Sequence, residues 1–169
     1  ISAEATDVNG LQTFLLDGFQ LGNSTSVNAS GTTYVGWNWM TDTSGSGSTN
    51  EDGDITSTVL ANTTAGFSVI GYTASGTTGA TVGHGLSQAP DCIIAKDRDS
   101  AAHQWYVYHS AEGATKYALL NATSPFNTNS GAWNNTEPTS SLVTLGTSAF
   151  GAVNNTGNDH IMYCWHSVE

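Results

Sequence analysis

Two stretches decide how this chain reads: LGNSTSVNASGTTYVGWNW over Leu21–Trp39 and LGTSAFGAVNNTGNDHIMYCW over Leu145–Trp165. Val27-Asn28 matches Val153-Asn154, Gly31 matches Gly157 and Trp39 matches Trp165, all at a spacing of 126, while the Leu-Gly pair returns after 124. The later copy therefore carries two extra residues in the intervening turn, a change that two versions of one hairpin tolerate. Each copy reads as strand, turn, strand. In the first, Val35, Trp37 and Trp39 share a face opposite Tyr34, Gly36 and Asn38. In the second, Ile161, Tyr163 and Trp165 alternate with His160, Met162, Cys164 and His166. Alternation of period two predicts half-buried strands whose large residues turn to the core. Trp37 and Trp39 accordingly read as core wall before they read as a sugar-stacking platform.

Between the copies, residues 41–54 read TDTSGSGSTNEDGD, without one apolar side chain. Such a stretch has nothing to bury against the entropy of ordering it, and it reads as a linker and a domain boundary. Strand candidates follow at short intervals: 55–60, 66–72, 80–82, 92–96, 104–109, 117–121, 142–145 and 160–166, separated by Gly, Pro, Asn and Ser. No amphipathic stretch is long enough for a stable helix. Many short strands with regular turn signals predict an all-β fold, a β-sandwich of jelly-roll or lectin-like type, over residues 55–169. Residues 1–40 read as the closing strands of a preceding β unit, which would have to pack on the following domain or on another copy of the chain.

Composition agrees. Only 10% of the residues are charged, so polarity comes from Ser, Thr, Asn and Gly, residues that favour turns and strands over helices. Fourteen acidic residues against three basic ones (Lys96, Arg98 and Lys116) give a net charge of −11, which repels phosphate backbones and anionic membrane surfaces. Nucleic acid and membrane insertion are therefore not expected partners, and no segment approaches a membrane span. Cys92 and Cys164 fit no metal-binding spacing; buried free thiols are the default reading, with one disulfide between neighbouring strands as the alternative.

The segments TNEDGDITSTVLANTTAGFSVIGYT (49–73), TVGHGLSQAPDCIIAKDRD (81–99), QWYVYHSAEG (104–113), WNNTEPTSSLVTLG (133–146) and MYCWHSVE (162–169) together resemble a β-rich repeat module. That module occurs in virion appendage and tail-fibre-type structural proteins of marine bacteriophages, including cyanophages. The opening DVNGLQTFLLDGFQLGNSTSVNASGTTYVGWNW (7–39) resembles the end of the domain that usually precedes it. The resemblance implies a lectin-like sandwich, a structural or host-facing role on the virion surface, a homo-oligomer or other virion proteins as partners, and no catalytic residues or cofactor.

The residues leave little for catalysis. Five histidines (84, 103, 109, 160 and 166) stand outside any hydrolase, metalloprotease or nucleotide-binding string. His84, between two glycines, reads as an exposed or capping imidazole in a turn. Asp91, Asp97 and Asp99 lie beside Lys96 and Arg98 and read as a charged loop in which the cations neutralise the acids, rather than as a glycosidase pair. Residues 50–54, NEDGD, offer oxygen ligands without the full calcium-loop pattern; no metal site is assigned. Glycan binding is the stronger functional option. It needs an exposed aromatic face with polar groups nearby, for which the candidates are Trp105, Tyr108, His109, Trp133 and Asn134. The expected function is a non-catalytic, host-facing module of a phage fibre or appendage, the alternative being a carbohydrate-binding attachment or adhesin domain, with a polysaccharide hydrolase behind both.

Overall fold

The computed structural model describes residues 6–41, 45–151 and 153–168. The chain divides into two compact units, one within Glu4–Trp39 and one containing Met40–Glu169. The fold is all-β in both: the helical elements among the described residues are one four-residue helix and one single 3-10 turn.

In the smaller unit, β1 (Leu11–Leu15) pairs antiparallel with β2 (Gly18–Leu21), with an irregularity between Leu11 and Thr13. Helix α1 (Thr25–Asn28) follows, its N-cap Ser24 accepting from the Ser26 N–H at 3.4 Å. The Tyr34 hydroxyl ties this turn together, accepting from the Ala29 N–H and donating to the Thr25 carbonyl, both at 3.0 Å. The strand expected over Tyr34–Trp39 does not form. A single extended segment has no ladder to complete unless neighbours flank it, and here Val35 and Trp37 are 78% and 77% exposed.

The larger unit is one eight-stranded antiparallel sheet faced by a second, smaller layer. The sheet holds β3 (Ser48–Asn50), β4 (Ser57–Asn62), β5 (Phe67–Thr73), β7 (Cys92–Asp97), β8 (Tyr106–His109), β9 (Lys116–Leu119), β10 (Asn127–Thr128) and β12 (Asp159–Trp165), in the spatial order β10-β9-β8-β7-β12-β5-β4-β3. The second layer is the ladder of β6 (Thr81–Gly83) and β11 (Leu142–Thr144) together with the loops that carry Trp133, Leu145 and Val153. This is the sandwich expected from the strand pattern, with one wall reduced to a two-stranded ladder and loops. The eight strand candidates each correspond to an observed strand. The expected linker does not hold beyond its first residues: Ser48–Asn50 is an edge strand on β4, and the Asp54 carboxylate accepts from the Thr81 N–H and hydroxyl at 3.0 and 2.8 Å. Hydrogen bonds to a ladder order a segment that has no apolar side chain to bury. Residues 42–44 of that stretch lie outside the described residues. Both sheet edges are very short and polar, which limits pairing with foreign strands.

The register fixes which side chains share the covered face. One row runs Val59, Ile70, Met162, Ala95, Tyr106 and Leu119; the next runs Ala61, Ser68, Cys164, Ile93 and Tyr108. Ile70, Met162, Cys164, Ile93 and Ala95 are completely buried, and each large apolar side chain so buried is worth about 1.5–3 kcal/mol. β12 sits between β5 and β7 at the centre of this wall and presents His160, Met162, Cys164 and His166 to it. The expected face was the other one. Ile161, Tyr163 and Trp165 lie on the outer side, only half-buried. The inversion has a physical reason: the covering loops lie against the sheet closely enough for the Tyr72 hydroxyl to donate to the Val153 carbonyl at 2.7 Å. The covered side is the one on which Trp133, Leu145 and Val153 pack, which leaves Ile161, Tyr163 and Trp165 on the open side. Cys92 pairs across from Trp165, and Cys164 from Ile93, so the two thiols occupy opposite faces and are free.

Candidate functional site

The five glycan candidates do not converge. Trp133 is 1% exposed, its ring edge-on to Tyr108 at 6.1 Å, so the exposed indole expected in that loop is instead a core anchor. The loop turns it inward because Asn134 and Asn135 both take left-handed φ angles (50° and 52°), a conformation that asparagine tolerates better than most residues. Tyr108 is also buried, and its hydroxyl donates to Glu137 Oε2 at 2.6 Å, while the Glu137 Oε1 accepts from the Ala114 N–H at 2.8 Å. Burial first, then that carboxylate, pushes the Tyr108 hydroxyl well above the usual tyrosine range. Asn134 is half-buried on the loop. Only Trp105 and His109 belong to the open side of the sheet.

That open side holds the one extended aromatic surface of the larger unit's described residues. Trp105 stacks on Tyr163 (6.5 Å between centroids, 24° between planes), Tyr163 on Trp165 (6.2 Å, 25°), and Trp165 meets Phe67 at 5.1 Å. Leu60, Val69, Ile94 and Val107 share the Tyr163 row. Toward one end the face turns polar: a shallow groove of about 410 Å³ is lined by Thr49, Thr58, Gly71, Thr73, Arg98 and Asp159, among others. Near-parallel half-exposed rings beside a hydroxyl-rich groove can stack on the apolar face of a sugar and accept or donate hydrogen bonds at its rim. Sequence reasoning missed Tyr163 and Trp165 here because it assigned them to the core.

The second constellation is built around Asp97, which ends β7 and is completely buried. Its Oδ2 accepts from His103 Nδ1 at 2.8 Å and from the Asn155 and Asn158 amides at 3.1 and 2.9 Å. Its Oδ1 accepts the backbone N–H groups of Asp99 and Ser100, both at 3.0 Å. Burial opposes the charged form, but the hydrogen bonds from His103, Asn158 and Asn155 outweigh it and hold the carboxyl at about 2. The expected neutralisation by lysine is not what occurs: the Lys96 ammonium reaches the backbone carbonyls of Ser100, at 3.0 Å, and Asp97. His160 sits beside this carboxylate, its Nε2 3.9 Å from Asp97 Oδ2. Its Nδ1 lies 3.0 Å from the Asn158 carbonyl, which assigns the proton to Nδ1, and burial holds the ring below the usual histidine range.

Three further polar side chains act as ties. His84 is neither exposed nor in a free turn: it is fully buried, accepting the Leu86 N–H at Nδ1 (3.1 Å), with Nε2 3.2 Å from the Thr139 carbonyl. Burial lowers its pKa. The Asn154 amide donates to the carbonyls of Thr77 and Gly146, both at 2.8 Å, and its oxygen accepts the Gly76 N–H at 3.0 Å. Asp91 accepts from the Ser167 N–H, the Ser167 hydroxyl and the Ser110 hydroxyl. Among the described residues, no three His, Cys, Asp or Glu side chains converge as a metal site, and no helix is long and apolar enough to cross a membrane.

A family model described as a domain of unknown function (DUF7483) matches residues 1–169, so the chain belongs to the DUF7483 family along its whole length. Among curated proteins and among solved structures, none matches it.

Proposed function

We propose, taking the chain as a DUF7483 domain from end to end, that it is a non-catalytic structural module of a phage virion fibre or appendage, facing the host and working in a homo-oligomer or against other virion proteins. One observation carries this reading: the most deeply buried polar side chains hold loops to the sheet. Asn154 ties three backbone groups, Gly76 and Thr77 of one loop and Gly146 of another, Asp97 ties the 98–103 turn and the 155–158 turn to β7, and His84 ties β6 to the Thr139 loop. Buried side chains bonded to several backbone groups in this way rigidify a module and specify one arrangement. A rigid, mostly uncharged sandwich suits a spacer that carries load and resists proteolysis. The test is mass spectrometry of purified phage particles that encode the chain. Its peptides are expected at the stoichiometry of a virion protein, and their absence from the particles would sink the reading.

A second reading, a carbohydrate-binding attachment or adhesin domain, is favoured by the ladder Trp105–Tyr163–Trp165 and its threonine-lined groove. Titration with host-surface glycans separates the two. Binding at millimolar concentration or tighter that is lost in Trp105→Ala supports the lectin reading; no binding removes it. Host polysaccharide incubated with the protein is expected to show no new reducing ends, and new ends would favour a hydrolase.

A further inference from the structure

We infer that residues 7–40 are the closing segment of a second module with the fold of the larger unit, and that their apolar side is occupied by an upstream segment of the same polypeptide equivalent to residues 46–128. The inference rests on a series of hydrogen bonds that recurs in the same order, with one- and two-residue shifts between the copies. In the larger unit, Gly146 N donates to the Ala132 carbonyl at 2.7 Å and Thr147 N to the Gly131 carbonyl at 3.1 Å. In the smaller unit, Gly22 N donates to the Gly10 carbonyl at 2.7 Å and Ser24 N to the Asn9 carbonyl at 3.0 Å. Thr147 and Ser24 each then cap a short helical turn with the side-chain hydroxyl, at 3.3 and 3.4 Å. The Asn154 amide donates to the Gly146 carbonyl at 2.8 Å, and the Asn28 amide to the Gly22 carbonyl at 2.8 Å. Four residues on, Asn158 N closes a turn on the Asn155 carbonyl at 3.1 Å, as Thr32 N does on the Ala29 carbonyl at 3.2 Å. Gly157 and Gly31 both take left-handed φ angles of 79° and 76° in that turn. Upstream, Asn129 Oδ1 accepts the Gly131 N–H and Asp7 Oδ1 the Asn9 N–H, at 2.7 and 2.9 Å. Even the steric constraint is shared: a Cβ on Gly146 would strike the Gly131 carbonyl, and one on Gly22 the Asn9 carbonyl.

What differs is the partner. In the larger unit this segment covers and completes a sheet. Trp133, Leu145 and Val153 are buried in the core, the Asn154 amide has a further acceptor in Thr77 and its oxygen a donor in Gly76, and residues 159–165 enter as β12 between β5 and β7. In the smaller unit the counterparts are less buried, Leu21 and Val27 being only half-buried. Val8, Phe14, Val35, Trp37 and Trp39 are largely exposed, and residues 33–40, which align with β12, carry no ladder. The interface that would cover them is the one already present between residues 129–166 and 48–128. The occupant is therefore a sheet of that kind lacking its central strand, and residues 33–40 supply that strand by β-augmentation. This inference concerns chain architecture and stands apart from the virion reading.

The first test is the reading frame, which is expected to encode, directly ahead of this chain, a segment with the strand pattern of residues 46–128. A frame without one overturns the proposal. The second is hydrogen exchange by mass spectrometry on the chain alone and on the chain extended by that segment. Amides of residues 33–40 are expected to exchange at near-unprotected rates in the chain alone and about a hundredfold or more slower in the extended chain. In the extended chain, Gly22→Val should abolish that protection while residues 55–166 exchange as before. Full protection of residues 33–40 in the monomeric single chain, or protection that rises with its concentration, overturns the upstream occupant in favour of self-packing or a second copy.

Discussion

The two Val-Asn pairs lead into the same local turn and meet different surroundings. Asn154 is completely buried and ties three backbone groups, whereas Asn28, exposed, donates to Gly22. Around the first, a tryptophan, a leucine and a valine pack under a sheet; around the second, Leu11 is exposed and Leu21 and Val27 are only half-buried. The local geometry of this segment is thus written into its own sequence, because it forms with or without a sheet beneath it. Its burial is supplied by strands that are distant in sequence.

That comparison breaks first at Trp133 and its counterpart Leu11, which both follow the tied Gly-Ala or Asn-Gly pair. Trp133→Ala removes a fully buried indole and should cost about 3–5 kcal/mol. Leu11, 48% exposed, should cost under about 0.5 kcal/mol when replaced by Ala. Urea denaturation of each variant measures both. Equal costs would mean that the smaller unit already has its core.

The asparagines sharpen it. Asn154→Ala leaves the Thr77 and Gly146 carbonyls and the Gly76 N–H without their partner, and should cost about 3 kcal/mol. Asn28→Ala breaks one solvent-exposed hydrogen bond and should cost at most about 1 kcal/mol. A tie that mattered equally in both places would show equal shifts in the denaturation midpoint.

Acid acts on the buried histidines and on Asp97 in different pH ranges. His84 and His160 are held neutral by burial, with folded pKa values below the unfolded one. Their contribution is therefore present above about pH 6.5 and declines as the pH falls below it, because the unfolded chain takes protons that the folded rings refuse. Asp97, at about 2 in the folded protein, behaves in the same sense at lower pH. Its contribution of about 2 kcal/mol is present above the unfolded value near 4 and is lost as the pH falls from there to about 2. Denaturation midpoints across pH 8 to 2 should show both declines, and Asp97→Asn should flatten the lower one. A stability that stays level from pH 5 to pH 2 would contradict the burial and hydrogen bonding of that carboxyl.

Much of the fold was legible because short strands announce themselves through β-branched and aromatic residues between Gly and Asn turns, as in Gly66–Tyr72 and Cys92–Lys96. The polar edge strand Ser48–Asn50 was not, since its order comes from backbone pairing with β4 and from Asp54 holding Thr81, neither of which leaves an apolar signature. Facing was misread in β12 for a related reason. A central strand with apolar residues on both sides carries no signal for which side is covered, and only the approach of Val153 to Tyr72 decides it. The candidate site shared that error: the core took Trp133 and Tyr108, and the open face received Tyr163 and Trp165. The Asp97 cluster was illegible because its partners, His103, Asn155 and Asn158, come from two separate turns.

A smaller cost than at Trp133 is expected at the tryptophan of the open face. Trp105 lies just before β8 on the open face, half-buried, with one ring contact to Tyr163. Trp105→Ala forfeits part of one stacking contact and about half the apolar area that a buried indole contributes, so it should cost no more than about 1.5 kcal/mol. Its value is as a probe of the surface. If Trp105→Ala costs as much as Trp133→Ala, something covers the open face in solution, and a sugar has no access to the ladder. If the cost is small and the chain's intrinsic tryptophan fluorescence loses a solvent-accessible component, measured by acrylamide quenching, the face is open and the half-buried rings of Tyr163 and Trp165 are within reach of a ligand.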